Sequence, residues 1–160
     1  MLAMVTTRFN NATYEETKVY REKHNIPCIY GSPIEMTASV RGADILFVVE
    51  MNNEKNEIEG IGIVRNRSWA DKYYRIYKNG DYNRYVYKGK HHLTREALVE
   101  MNEELVKAIE QICFKKKSHL KRGYGFTTIT EKLLKKNTNP NVNVQKNMKK
   151  CFAEIYRPEI

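Results

Sequence analysis

Residues 43–66 read ADILFVVEMNNEKNEIEGIGIVRN. Ile45 to Val49 is an unbroken run of branched and aromatic apolar side chains, the composition of a strand covered on both faces. The polar stretch NNEKN (52–56) interrupts the run, and the apolar pattern resumes in EIEGIGIVRN. Two such arms around a short polar loop predict an antiparallel hairpin. In the second arm Gly60 and Gly62 alternate with Ile61 and Ile63. One face is therefore bulky and the other bare, and a bare face lets a backbone or a flat group approach closely.

Upstream, LAMVTTRF (2–9) reads as a strand and NNATYEETKVYREKHN (10–25) as a helix. Asn11 or Thr13 can cap its first amides, Glu15 and Glu16 suit its positive end, and Lys23 and His24 suit its negative end. IPCIYGS (26–32) is a short extended piece, and SPIEMTASV (32–40) a brief helix with Ser32 as cap and Pro33 in the first turn. Downstream, Asn79-Gly80 between YYRIYK and DYNRYVYK predicts a second hairpin, the dipeptide being the strongest short-range signal for one. The alternative places Trp69, Tyr73 and Tyr77 on one helical stripe.

From Thr94 to Lys117 the pattern is helical, with Leu98, Met101, Leu105, Ile109 and Ile112 near one face and Asn102 placed to cap a second helix within. TTITEKLLKKN (127–137) predicts a short helix, NTNPNVNVQKN a polar loop, and CFAEIYRP (151–158) a segment apolar enough to dock back.

A chain of 160 residues suffices for one domain with its own core. Its net charge of +9 is unevenly spread. Residues 65–92 carry 8 Lys or Arg against 2 Asp or Glu, and residues 115–160 carry 12 against 3. Such blocks attract polyanions, nucleic acid first. Cys28, Cys113 and Cys151 form no paired framework, which fits a reducing compartment. Cys113 with His119, together with the His91-His92 pair, matches no zinc spacing, so neither metal nor cofactor is expected. No apolar run reaches the length of a membrane span and the first residues lack a secretory layout. The expectation is an intracellular protein of the cytoplasm or nucleus with no membrane partner. The Asn- and Lys-rich composition hints at an AT-rich, viral source.

The succession LAMVTTRF, helix, IYGS, then SVRGADILFVVEMNNEKNEIEGIGIVRN resembles the PUA-like barrel superfamily, in particular its EVE and YTH branches. Gly42-Ala43-Asp44 stands near that family's Gly-Asp turn, with Ala43 inserted, and Tyr30-Gly31-Ser32 near its aromatic-Ser segment. The resemblance covers residues 1 to about 92. It implies an α+β fold with a small curved antiparallel sheet or barrel flanked by helices. On that reading residues 1–117 form the domain and 118–160 a basic helical C-terminal extension packing on it or extending from it. It also implies a nucleic-acid-binding domain, with a modified-base reader as one form. Tyr30 and Trp69 would be aromatic walls and Ser32 a polar group at the base edge. The chain departs from the YTH pattern in having a single tryptophan.

The chemistry stands beside the resemblance. Single-stranded nucleic acids bind where bases stack on aromatic faces and cations track phosphates. Arg67 to His92 holds six of the eleven tyrosines and the tryptophan, interleaved with cations. Base contacts are thus expected from Tyr30, Ser32, Trp69 and Tyr73. Phosphate contacts are expected from Arg65, Arg67, Arg84, Lys88, Lys90, Lys115, Lys116, Lys117, Lys121 and Arg122, with RNA favoured over DNA. The alternative for Tyr73, Tyr77, Tyr85 and Tyr87 is a place in the core. RGYGFTTI (122–129) satisfies the first five positions of an RNA-recognition octamer, but Thr127 and Ile129 break it, and a turn packed by Tyr124 and Phe126 is expected instead. Two rival functions remain. One is a small hydrolase of the ASCH kind using Lys90, with His91 or His92 paired to Glu96. The other is a structural or packaging protein that binds DNA or an acidic partner without a pocket.

Overall fold

The computed structural model describes residues 2–36, 43–115, 120–135 and 141–156. The elements run β1 (Leu2–Phe9), α1 (Asn11–His24), β2 (Cys28–Ser32), β3 (Ile45–Asn52), β4 (Glu57–Arg65), β5 (Tyr85–Gly89), β6 (His91–Thr94), α2 (Arg95–Glu110), β7 (Thr127–Thr128), α3 (Glu131–Lys135) and α4 (Val144–Tyr156). Five strands form one sheet in the order β6-β4-β3-β1-β7, and β2 pairs with β5 in a second, two-stranded sheet.

The hairpin of residues 43–66 is the centre of the larger sheet. β3 and β4 pair antiparallel with Val48 opposite Gly62 and Glu50 opposite Gly60, and a bulge follows at Glu50/Met51. β3 is central and seven of its eight residues are buried. β1 lies parallel to β3, Val5 opposite Val48. The sheet is therefore mixed rather than antiparallel, and it does not close into a barrel. A parallel neighbour needs a long crossover, and the connection from β1 to β3, which contains α1 and β2, supplies it.

Strand alternation sorts β3 into two cores. Phe47, Val49 and Met51 pack with Ile58, Ile61 and the apolar faces of α2 and α4. Leu46, Val48 and Val64 pack with β2, β5, Tyr74, Tyr77 and Phe126. Residues 120–156 supply β7 and α4 to these same cores, with Leu120, Ile129, Met148 and Phe152 buried.

Local signals explain most element ends. Asn10, rather than the expected Asn11 or Thr13, is the cap: it accepts from the Thr13 amide, and Thr13 answers on the Asn10 amide, a reciprocal box. Asn102 leaves helical geometry inside α2 and its Oδ1 accepts from Leu105 N at 3.1 Å, so α2 is two helices meeting at a capped kink. α4 begins at Val144, inside the stretch expected as a polar loop. Of the expected helix 32–40, residues 37–40 lie outside the described residues, and Ser32, expected as its cap, ends β2 with no α-helix in 33–36.

The second hairpin does not form. β5 pairs with β2, Tyr87 opposite Tyr30, and residues 73–78 carry no strand. Asn79 Oδ1 accepts from Asp81 N and opens a 3-10 turn over Gly80–Asn83. Gly80 lacks the positive φ that a type I′ hairpin turn demands. RGYGFTTI contributes a two-residue edge strand at Thr127–Thr128 rather than a central one.

Candidate nucleic-acid interface and a buried polar centre

The bare face of β4 is filled from within. Glu50 sits opposite Gly60 on the face turned toward β2 and β5, with no exposed surface. Tyr30 Oη donates to Glu50 Oε2 at 2.6 Å and Arg21 Nη2 donates to the same oxygen at 3.0 Å. His92 Nε2 lies 3.1 and 3.0 Å from the two carboxylate oxygens. An ionised carboxylate only accepts, so Nε2 carries the hydrogen. A Cβ on Gly60 would lie 2.6 Å from the Leu93 carbonyl oxygen and 2.9 Å from the His92 ring. One on Gly62 would strike the Tyr30 hydroxyl and lie 2.8 Å from Cys28 Sγ. The two glycines thus make room for an imidazole and a phenol.

Charge explains why the group is stable. Burial opposes ionisation of Glu50, but Arg21 and His92, with the hydrogen bonds from His92 and Tyr30, hold its carboxyl well below the usual carboxylate range. Burial likewise opposes the Arg21 cation, but Glu50 together with Tyr30, Cys28 and Tyr14 outweighs it, so the guanidinium pKa is raised. Burial and then the Glu50 charge push the Tyr30 hydroxyl well up. Burial pushes the Cys28 thiol up to about 12, which leaves it unreactive as a nucleophile. Sequence reading missed this centre. Its signal was a lone carboxylate, Glu50, in an apolar run facing a glycine-bare strand. His92, which the hydrolase reading offered with His91 as a partner of Glu96, is paired instead with Glu50, since the pairing of β4 with β6 sets His92 opposite Gly62.

The outer surface differs. Trp69 N–H donates to the Val86 carbonyl at 2.8 Å, which fixes the segment beside β5. The indole is 47% exposed, and Lys88 Nζ sits 4.0 Å from its ring centroid. The same ammonium is 5.1 Å from the buried Tyr74 ring, with Lys72 Nζ at 5.1 Å from that ring also. Tyr73 is 64% exposed, and its hydroxyl accepts from Asn83 Nδ2 at 3.1 Å.

Of the four expected base contacts, the structure exposes Trp69 and Tyr73 and buries Tyr30 and Ser32. Ser32 Oγ donates to the Ile34 carbonyl and accepts from its amide, closing a local turn. Tyr30 and its partner Tyr87 share one face of the small sheet, while Lys88, the next residue, belongs to the other face and carries Trp69. Tyr30 and Trp69 are therefore on opposite faces and form no common pocket.

The expected phosphate contacts are also divided. Arg65, Arg67, Arg84, Lys90, Lys115, Lys121 and Arg122 are exposed and Lys88 is half-buried. Lys116 and Lys117 lie outside the described residues. Arg65 ends β4, whereas Lys121 Nζ donates to Asn56 Oδ1 at 2.7 Å beyond the strand's other end. At ~3.3 Å per residue the two ends of β4 are roughly 25 Å apart. Lys115 lines a groove of about 520 Å³ with Glu57, Glu104 and Glu110, where acidic groups offset the cations.

Among the described residues no helix is long and apolar enough to cross a membrane. Compared with known proteins, the sequence matches no family model and no curated protein.

Proposed function

We propose that this protein binds single-stranded nucleic acid, RNA in preference to DNA, by stacking bases on Trp69 and Tyr73 while Lys88, Lys72 and the neighbouring arginines meet the phosphates. The observation that carries the reading is the exposed indole of Trp69, whose backbone N–H is bonded to β5, with the Lys88 ammonium over its ring, inside a block of 8 basic against 2 acidic residues. A ring about half open to water offers a π-face to any base. Reading of a modified base between Tyr30 and Trp69 is not part of the proposal, because Tyr30 is buried and committed to Glu50.

The PUA-like relationship belongs to the same proposal. Its support is the small β2–β5 sheet laid over the glycine face of β4, where Gly89 meets the Ile63 carbonyl too closely for any side chain. The test is binding of a fluorescent single-stranded RNA to the full chain. Trp69→Ala is expected to weaken binding about tenfold, within the ~1 to 3 kcal/mol of one stacked base. Unchanged affinity in Trp69→Ala would overturn the proposal.

A further inference from the structure

We infer that the stacking surface continues from Tyr73 onto Tyr82 and Tyr124, so that one strand is held by aromatic stations from two distant parts of the chain. The inference rests on the function proposed above and extends its site.

Tyr124 is 59% exposed, and its ring meets Tyr82 at 6.4 Å and 68°, edge to face. Tyr82 in turn meets Tyr77 at 6.3 Å, and Tyr77 is buried. The pair therefore stands on a core residue. Tyr73 joins the same turn: the Asn83 side chain accepts from Ile76 N and Tyr77 N, and donates to Tyr77 O and Tyr73 Oη. Trp69, Lys88, Tyr74 with its neighbour Tyr73, the 80–83 turn and Tyr124 are thus linked contact by contact.

The second station is rigidly mounted. The Arg8 guanidinium donates to the Leu120 carbonyl at 3.2 Å, to Thr127 Oγ1 at 3.0 Å and to the Gly125 carbonyl. Gly125, at φ +69°, turns the chain in the left-handed region that a side chain disfavours. Phe126 is thereby driven inward, edge-on to Tyr87 at 5.5 Å and to Tyr30 at 6.5 Å, while Tyr124 is left outside. An aromatic ring held out in water on a buried mount is pre-organised for contact, which lowers the ordering cost of binding.

Charge selects the occupant. Arg84 follows Tyr82 by two residues and Arg122 precedes Tyr124 by two, both exposed, with Asp81 the acidic neighbour in the turn. Flat aromatic faces flanked by cations fit a single-stranded polynucleotide, which offers a base and a phosphate at each step.

The experiment measures binding of the full chain to single-stranded RNAs of about 4 and about 16 nucleotides, the span of common single-strand site sizes. Tyr82→Ala and Tyr124→Ala are each expected to weaken the longer RNA about tenfold, and Tyr124→Phe to retain its affinity. Tyr124→Ala added to Trp69→Ala should weaken it further. The shorter RNA should lose less to each single change, since it can sit at the intact station. If Trp69→Ala weakens the longer RNA while both tyrosine variants bind it like the unaltered chain, this inference falls and the proposed function stands. If none of the three matters, both fall. Equal competition by polyglutamate would mark a surface that reads charge alone and would also overturn the inference. Thermal unfolding of each variant separates lost contact from lost fold.

Discussion

Glu50 makes the sharpest demand on its surroundings. Its carboxylate takes hydrogen bonds from Tyr30, Arg21 and His92 in a site with no solvent. Removing one partner of a buried ion pair leaves the other uncompensated, at a cost of about 3–5 kcal/mol. Glu50→Gln should therefore lower stability by that order in urea unfolding, whereas Glu54→Gln on the exposed loop should change it little. The pH dependence has a definite sign. The folded carboxyl is depressed below its unfolded value, so its contribution is complete above the usual carboxylate range, ~4.3. It is lost as the pH falls from there toward the folded value. Acid unfolding should accordingly be shallower in Glu50→Gln than in the unaltered chain. The neighbouring glycines are as constrained. Gly62→Ala inserts a methyl against Tyr30 and Cys28 and should cost about 1–3 kcal/mol, read as a lowered denaturation midpoint.

Among elements, α2 shows what a local signal can carry. Asn102 was readable as an internal cap, and its side chain does accept from Leu105 N at the kink. Asn102→Ala should lower stability by about 1 kcal/mol and reduce helical signal in far-ultraviolet circular dichroism. The β3–β4 hairpin was equally legible, since a continuous apolar arm, a polar loop and an alternating arm leave one sensible pairing. Asn79-Gly80 misled for a physical reason. An Asn side chain that caps a 3-10 turn competes with the hairpin turn, and β5 gains five cross-strand pairs with β2 that no local rule foresees. The edge strand β7 escaped for the same reason, because two residues have no pattern, only the open edge of β1.

At the scale of the whole molecule, the proposed binding would divide between charge and aromatic rings, with long-range attraction supplying affinity and exposed rings the contact. If about five cations meet phosphates, log K should fall with log salt at a slope near −3.5, at ~0.7 per contact for a single strand. Lys88→Gln should reduce that slope by about 0.7, and an affinity independent of salt would exclude the electrostatic contribution. The exposed cations lie at both ends of the central sheet, so variants at Arg67 and Arg84 should weaken binding more than variants at Lys115, whose groove holds glutamates.

Composition, periodicity and capping by themselves determined the excess of positive charge, the central hairpin, the helices α1 and α2, and a glycine face awaiting a close neighbour. Each depends on residues near one another in the chain. Tertiary structure decided what filled that face and which aromatic rings met water. Tyr30, expected as a pocket wall, became a buried donor to Glu50, because β2 lies across β4 with its pleat turned inward. Trp69 and Tyr124 stayed outside, because β5 and the Arg8-held segment spend their apolar neighbours on the core. Strand pairing sets the orientation of Tyr30 and Tyr87, and a shift of one residue in β2 or β5 would have turned that strand's inward ring outward.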